Sequence, residues 1–450
     1  MTRRSDLAVR RVTACGVDLA ALAGARPDRY PFLFESSAGA AAQSRYDLLL
    51  AFPGRHVTVS DPAHGGARFF DQLGAGCGEA QQMPGLPFVG GWFFYLGYEM
   101  AEAVEPSLSL PKAHADGLPA ALAVRCPAAI IRDRQTGDMH LVSETPSSGR
   151  LETMAADLAA AGMLHPPSKL VVDWREQSPD DYREAVKCAR SYIRAGDIFQ
   201  ANLSRAWHGT LRHPLAPAEL YAALRTANPA PFSGLLQWQG SALLSTSPER
   251  LATIEDSVIQ TRPIAGTRPR HPGADSADVI SDLLANAKER AEHIMLIDLE
   301  RNDLGRVCCP GSVTVDELMI AESYARVHHI VSNVSGKLLP SVGFGDALRA
   351  VFPGGTITGC PKVRCMEIIA ELEGQARGPY TGSFGYISRC GRVDSNIIIR
   401  SISQQAQTLT LRTGAGIVAD SDPEAELAET RAKARGVLNA FSPRGEWVDG

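Results

Sequence analysis

Short apolar runs broken by turn residues fill the first part of the chain. Tyr46–Phe52, His56–Ser60 and Ala128–Arg132 predict strands of an antiparallel-rich sheet. Pro84–Glu99, dense in glycine and aromatic residues, predicts a strand and turn packed under that sheet, with Trp92 and Phe94 as core. From Ser143 to Ser168, breaker-rich ends bracket an Ala/Leu-rich amphipathic stretch, which predicts a helix and a domain boundary. Residues 1–165 then form an N-terminal domain and 170–450 a larger second one. The second domain mixes periods. Ser178–Ala195 opens on Ser-Pro and acidic residues, repeats apolar positions at helical spacing and ends at Gly196, the pattern of a capped helix. Ser241–Ser245, Ser383–Ser388, Asn396–Ser401 and Thr408–Arg412 predict strands. Helices and strands do not alternate strictly, so a doubly wound parallel sheet is disfavoured and an α+β architecture on large, mostly antiparallel sheets is expected.

Length and charge narrow the class of partner. A chain of 450 residues exceeds what one core usually fills, in keeping with two domains. A net charge of -5 without long runs of either sign offers no basic face for nucleic acid and no polybasic patch for a membrane. A small molecule or another protein is the expected partner. Nine cysteines fall in no CxxC pair and no zinc spacing, which suits reduced thiols in a cytoplasmic protein. No 18-residue apolar run and no leader pattern occurs, so a soluble, cytoplasmic chain is expected.

Two carboxylate pairs stand out by spacing. Glu289 and Glu292 lie in NAKERAEHIM, Glu426 and Glu429 in DPEAELAETRAK, and on a helix each pair shares one face. If the two faces converge, their mutual repulsion calls for a hard cation such as Mg²⁺. Either pair alone is also the pattern of an ordinary solvated face. Phe352–Arg364, FPGGTITGCPKVR, offers backbone N–H groups ahead of a helical run, and Thr413–Val418, TGAGIV, a second close approach of backbone to ligand. Neither matches a Walker loop or GxGxxG, so no nucleotide is implied. Arg400 ends an apolar strand and suits either a carboxylate ligand or a structural ion pair. His329 sits beside an apolar run, where acid–base work and a core role are both open.

Together these segments resemble the chorismate-utilising enzymes of the anthranilate synthase component I and aminodeoxychorismate synthase component I group. The resemblance is carried, in order, by GDIFQANLSR, STSPERL, QTRPIAGTRPR, KERAEHIMLIDLERNDLGR, YARVHHIVSNVSG, FPGGTITGCPKVRCMEII, GPYTGSFGYIS, VDSNIIIRS and GAGIVADSDPEAELAETRAKA, with FLFESS and PFVGGWFFYLGYE extending it to the first domain. It implies two large, mostly antiparallel β-sheets in a sandwich with helices outside, and chorismate as substrate. It also implies that Glu292 and Glu429 hold Mg²⁺ with Glu289 and Glu426 beside them, and that Lys433 adds a cation at the ring carboxylate. Tyr386, Arg400 and the backbone of Gly414, Ala415 and Gly416 would bind the enolpyruvyl carboxylate, and the turn of Gly266 and Thr267 would touch substrate. His329 and Thr356 would lie beside the ring, with Glu249 in acid–base work at the departing hydroxyl.

The resemblance also bears on the nucleophile. Relatives that add water carry a lysine base in the place of Gln200, so Gln200 favours ammonia, drawn from a separate glutamine amidotransferase subunit. Cys77 in GAGCGE is the nearest approach to an amidotransferase nucleophile, and a plain turn suits it better. Ala265 favours anthranilate, because the aminodeoxychorismate group usually has lysine there, attacking C2 before ammonia enters at C4. The flanking blocks QANLSR, NPAPFSG, RVHHIVS, FPGGTITG and GPYTGSFGYIS resemble the aminodeoxychorismate side, so C4 amination with an atypical Ala265 is the expectation. Anthranilate formation is the alternative, and a regulatory aromatic-ligand-binding protein without catalysis is the alternative of another class.

Overall fold

The computed structural model describes residues 7–13, 16–37, 45–77, 83, 85–112, 117–167, 170–270, 277–323 and 327–441, without the side chains of residues 267, 269, 287, 288 and 327. Among them, a twelve-stranded and a ten-stranded sheet are accompanied by eleven α-helices. Every strand pairing between named strands is antiparallel. One core fills the space between the sheets: Phe32 of the larger sheet stacks on Phe93 of the smaller, ring centroids 3.7 Å apart, among Leu48, Leu50, Leu122 and Val124. Separate cores lie between each sheet and its outer helices. The expected α+β sandwich with helices outside is what forms.

Both sheets draw strands from both sides of residues 165–170. Phe32–Glu35 pairs with Phe232–Trp238 in one sheet, and Gly91–Leu96 with Ser383–Ser388 in the other. The breaker-rich boundary is therefore a local feature of the chain, across which the hydrogen-bonded ladders run. Helix ends follow their signals more closely. Ser178 caps Pro179–Ala195, which stops at Gly196 with φ 84°, and Asp422 caps Pro423–Leu438. Asn286 caps Ala287–Gly305, the helix of Glu289 and Glu292.

Two neighbouring strands pass from one sheet to the other at the same place. The chain leaves the larger sheet with Ser241–Ser247 and enters the smaller with Arg250–Glu255, so Glu249 lies in the crossing. Coming back, it leaves the smaller sheet with Val393–Ile397 and re-enters the larger with Ser401–Gln405, so Arg400 lies in the return crossing, at φ 51°. Ile397 N donates to Glu249 O at 3.0 Å and Thr246 N to Arg400 O at 3.2 Å, tying the two crossings together. The continuous strand expected over Asn396–Ser401 is thus broken, because its apolar run serves two sheets in turn. No helix among the described residues is long and apolar enough to cross a membrane.

Candidate active site

The crossing of Glu249 is a buried acid site. Thr356 Oγ1 donates to Glu249 Oε1 at 2.7 Å from the short 3-10 turn Gly355–Ile357. Burial pushes the Glu249 carboxyl up to about 7, against the opposing pull of the Thr356 hydrogen bond and the Arg400 and Lys433 charges. It can therefore hold or release a proton near neutrality. Burial lowers the guanidinium of Arg400, and Glu249 offsets part of that cost.

His329 completes this side. It lies opposite Thr267 in the ladder between Ile264–Pro269 and Val327–Lys337, where a bulge between Ala265 and Thr267 turns Gly266 to φ 54°. Burial, then the Arg400 charge, lowers the His329 imidazole to about 4, while a hydrogen bond to the Gly266 backbone opposes the shift. The ring is neutral at pH 7 and suited to hydrogen bonding rather than to holding a proton. Ala265 is 7% exposed, paired with Ile330, and brings only a methyl group to this strand.

The glutamate helices frame the other side. Glu289 ion-pairs with Arg268 at 2.6 Å, and its Oε2 is buried without a hydrogen-bond partner, 2.3 Å from where a Cβ on Gly266 would stand. Glu292 Oε1 accepts from Gln200 Nε2 at 3.0 Å, and both face Gly416, whose Cβ would stand 2.4 Å from that nitrogen. On the second helix, Lys433 reaches Glu429 at 2.7 Å and Gly414 O at 2.8 Å. Glu426 and Glu429 lie three positions apart on the same helix, Pro423–Leu438, and so share one face of it. Among the described residues, no three His, Cys, Asp or Glu side chains are gathered tightly enough to ligate a metal as they stand. The fit to a divalent cation lies in the donors: a set of carboxylates, one with a buried, unsatisfied oxygen.

Of the expected substrate contacts, Tyr386 is placed differently. Ala415 turns its methyl into the core with Ala201 and Leu203, leaving only its backbone toward Gly414 and Gly416. Thr267 is described in backbone only. Tyr386 packs against Phe34 and Phe88 beside a separate cavity of about 370 Å³ between the sheets, lined by residues such as Glu35, Arg250 and Asp394. The tyrosine beside Gly414 is Tyr380, its hydroxyl 2.7 Å from where a Cβ on that glycine would stand. Both lie in GPYTGSFGYIS, and the signal that separates them is the Gly-Pro-Tyr turn, since Tyr386 alternates into a strand interior. Sequence reasoning also missed Arg377, which donates to Ile357 O and Asn202 O and so clamps the Thr356 turn to the strand of Gln200. Cys77 donates weakly to Ile387 O, and burial pushes its thiol up to about 12, the opposite of an activated nucleophile.

The arrangement gathers an acid near neutrality, a neutral imidazole, two cations and a set of carboxylates around one seam, which suits a small substrate bearing more than one carboxylate. Comparison with known proteins agrees. An anthranilate synthase component I-like protein of Synechocystis is 44% identical over 362 residues, covering 79% of this chain and 73% of that one. Aminodeoxychorismate synthase component 1 of Klebsiella aerogenes is 38% identical over 428 residues, covering 91% and 93%. The crystal structure of anthranilate synthase component I from Streptococcus pneumoniae superposes with a TM-score of 0.77 at 29% identity, over 90% of this chain and 93% of that one. The family model of chorismate binding enzymes matches residues 37–439, and the chain belongs to that family.

Proposed function

We propose that this chorismate-utilising enzyme is aminodeoxychorismate synthase component I, replacing the C4 hydroxyl of chorismate with ammonia from a separate glutamine amidotransferase subunit. The observation that carries the amine-transferring reading is Gln200: its neutral amide, rather than a lysine base, faces Glu292 at 3.0 Å. Water would have to be deprotonated before attack, whereas ammonia brings its own lone pair. Glu249 gives its proton to the departing hydroxyl, which leaves as water while the nitrogen forms its bond to carbon. The ammonium so formed returns a proton to the Glu249 carboxylate, restoring the acid. Neutral His329 lies beside the ring, and Arg400 with the Gly414–Gly416 backbone and Tyr380 receives the enolpyruvyl carboxylate.

Mg²⁺ would be held by Glu292 and Glu429, with Glu289 and Glu426 beside them, and supplies charge withdrawal at the ring carboxylate. Lys433 steers the same carboxylate. No lysine in the described site replaces the one missing at Ala265. Lys433 is held by Glu429 and Gly414 O, and Lys362 by Asp303, so ammonia attacks directly. Ala265 also favours a second reading, anthranilate formation by amination at C2 with loss of pyruvate.

Product identity separates the two. Chorismate, Mg²⁺ and excess ammonium at raised pH should give a species that an added lyase converts to 4-aminobenzoate. Fluorescent anthranilate with pyruvate would overturn the choice in favour of the second reading. No turnover under these conditions would leave a binding protein instead.

A further inference from the structure

Helix Ala287–Gly305 carries more than the two glutamates at its start. Glu289, Glu292, Leu296, Glu300 and Asp303 recur at spacings of three and four, one stripe along the helix. Glu300 is 6% exposed and Asp303 2%. Glu300 Oε1 lies 3.2 Å from where a Cβ on Gly355 would stand, and the next residue, Thr356, holds Glu249. Two buried carboxyl groups therefore flank one dipeptide, and only Glu249 has a role in the proposed chemistry. Beyond Glu300, Asp303 ion-pairs with Lys362, and both line an outer groove of about 740 Å³ together with Asp298 and Glu105.

We propose that Glu300 is a positioning residue for Glu249, the two buried acids acting on each other across the Gly355–Thr356 turn, with the Asp303–Lys362 pair bearing on Glu300 from its other side. Two carboxylates in one low-dielectric space do not ionise together readily, so a negative Glu300 makes the proton on Glu249 harder to lose. The groups facing Glu249 are Thr356, Arg400, Lys433 and the Ile264 backbone, besides Glu300. Those facing Glu300 are Asp303, Lys362, Thr261 and Glu249, and burial holds it, like Glu249, at about 7. Arg306 touches Asp303 at 3.3 Å and so bears on the pair from outside.

The role in turnover rests on the proposed amination, but the coupling of the two acids does not, and one experiment separates them. Infrared titration of the full chain follows the protonated carboxyl band of Glu249, isolated by subtracting Glu249→Gln spectra in the wild-type and Glu300→Gln backgrounds. Glu300→Gln should move the Glu249 midpoint down by about one pH unit. Reciprocally, Glu249→Gln should move the Glu300 midpoint down, which keeps the test open if one variant fails to fold. With ammonium and chorismate, the basic limb of kcat in Glu300→Gln should move down by a similar interval with KM unchanged. Unmoved infrared midpoints overturn the proposal even if product forms, and shifted midpoints support it even if the product assay fails.

Discussion

Replacing Glu373 by glutamine tests the strongest electrostatic joint near the site. Glu373 Oε1 accepts from Ser204 N at 2.8 Å, Ser204 Oγ at 3.0 Å and Arg377 Nη2 at 2.7 Å, while Oε2 accepts from Arg377 Nε at 3.0 Å and Arg412 Nη2 at 3.1 Å. Its side chain is 3% exposed and that of Arg377 1%. Burial alone would raise the Glu373 carboxyl, but the Arg377 and Arg412 charges overcome it and hold the group below the usual range. Glutamine keeps the shape and removes the charge, leaving two buried guanidinium groups without their anion, at a cost of ~3–5 kcal/mol. With an unfolding entropy of ~2.1 cal/mol/K per residue over 450 residues, that is a fall in Tm of about 3–5 °C. A depressed carboxyl stabilises the fold above its unfolded value of 4.5 and loses that contribution as pH falls through the folded value. The gap between wild type and Glu373→Gln should therefore be full at pH 7.5 and shrink in acid below 4.5. Calorimetry at both pH values measures it, and a Tm within about one degree of wild type at pH 7.5 would refute the reasoning.

Glu249→Gln should abolish product formation yet stabilise the fold at pH 8 by up to about 3 kcal/mol. The wild-type carboxyl sits at about 7 folded against 4.5 unfolded, so its contribution is present below 4.5 and is lost as pH rises through 7. An equal Tm difference at pH 5 and pH 8 would count against the buried acid. Gly416→Ala puts a Cβ 2.4 Å from Gln200 Nε2, and because that side chain can swing away, stability should change by less than about 1 kcal/mol. Gln200 then loses Glu292, and the Mg²⁺ concentration for half-maximal activity should change; an unaltered Mg²⁺ curve contradicts the contact's importance. Glu429→Gln should abolish turnover by weakening metal binding, and retained activity with unchanged Mg²⁺ dependence would remove it from the site.

Local signals carried well from sequence to structure. Ser178, Asn286 and Asp422 cap their helices because a side-chain oxygen satisfies the first free N–H groups, a requirement that needs no tertiary information. Both glutamate pairs accordingly landed on helices, and Thr356 was found beside Glu249. Long-range events were less legible. An apolar run looks alike whether it stays in one sheet or changes sheets, so the break at Arg400 was invisible. Tyr380 and Tyr386 are separated by six positions in one glycine-rich block, and only the turn places the first beside Gly414. Arg377 and Glu300 sit in ordinary helical or loop surroundings, where nothing in the local pattern announces partners from other elements.

The shared ladders have a consequence for how the protein is made. A fragment starting at residue 170 would leave Phe232–Trp238 without Phe32–Glu35 and Ser383–Ser388 without Gly91–Leu96, baring a hydrogen-bonding edge in each sheet. Such edges invite pairing with any other chain, so the fragment would aggregate rather than act as a minimal enzyme. Neither half can finish first: Phe32–Glu35 waits for Phe232–Trp238, and Gly91–Leu96 for Ser383–Ser388, before its ladder is complete.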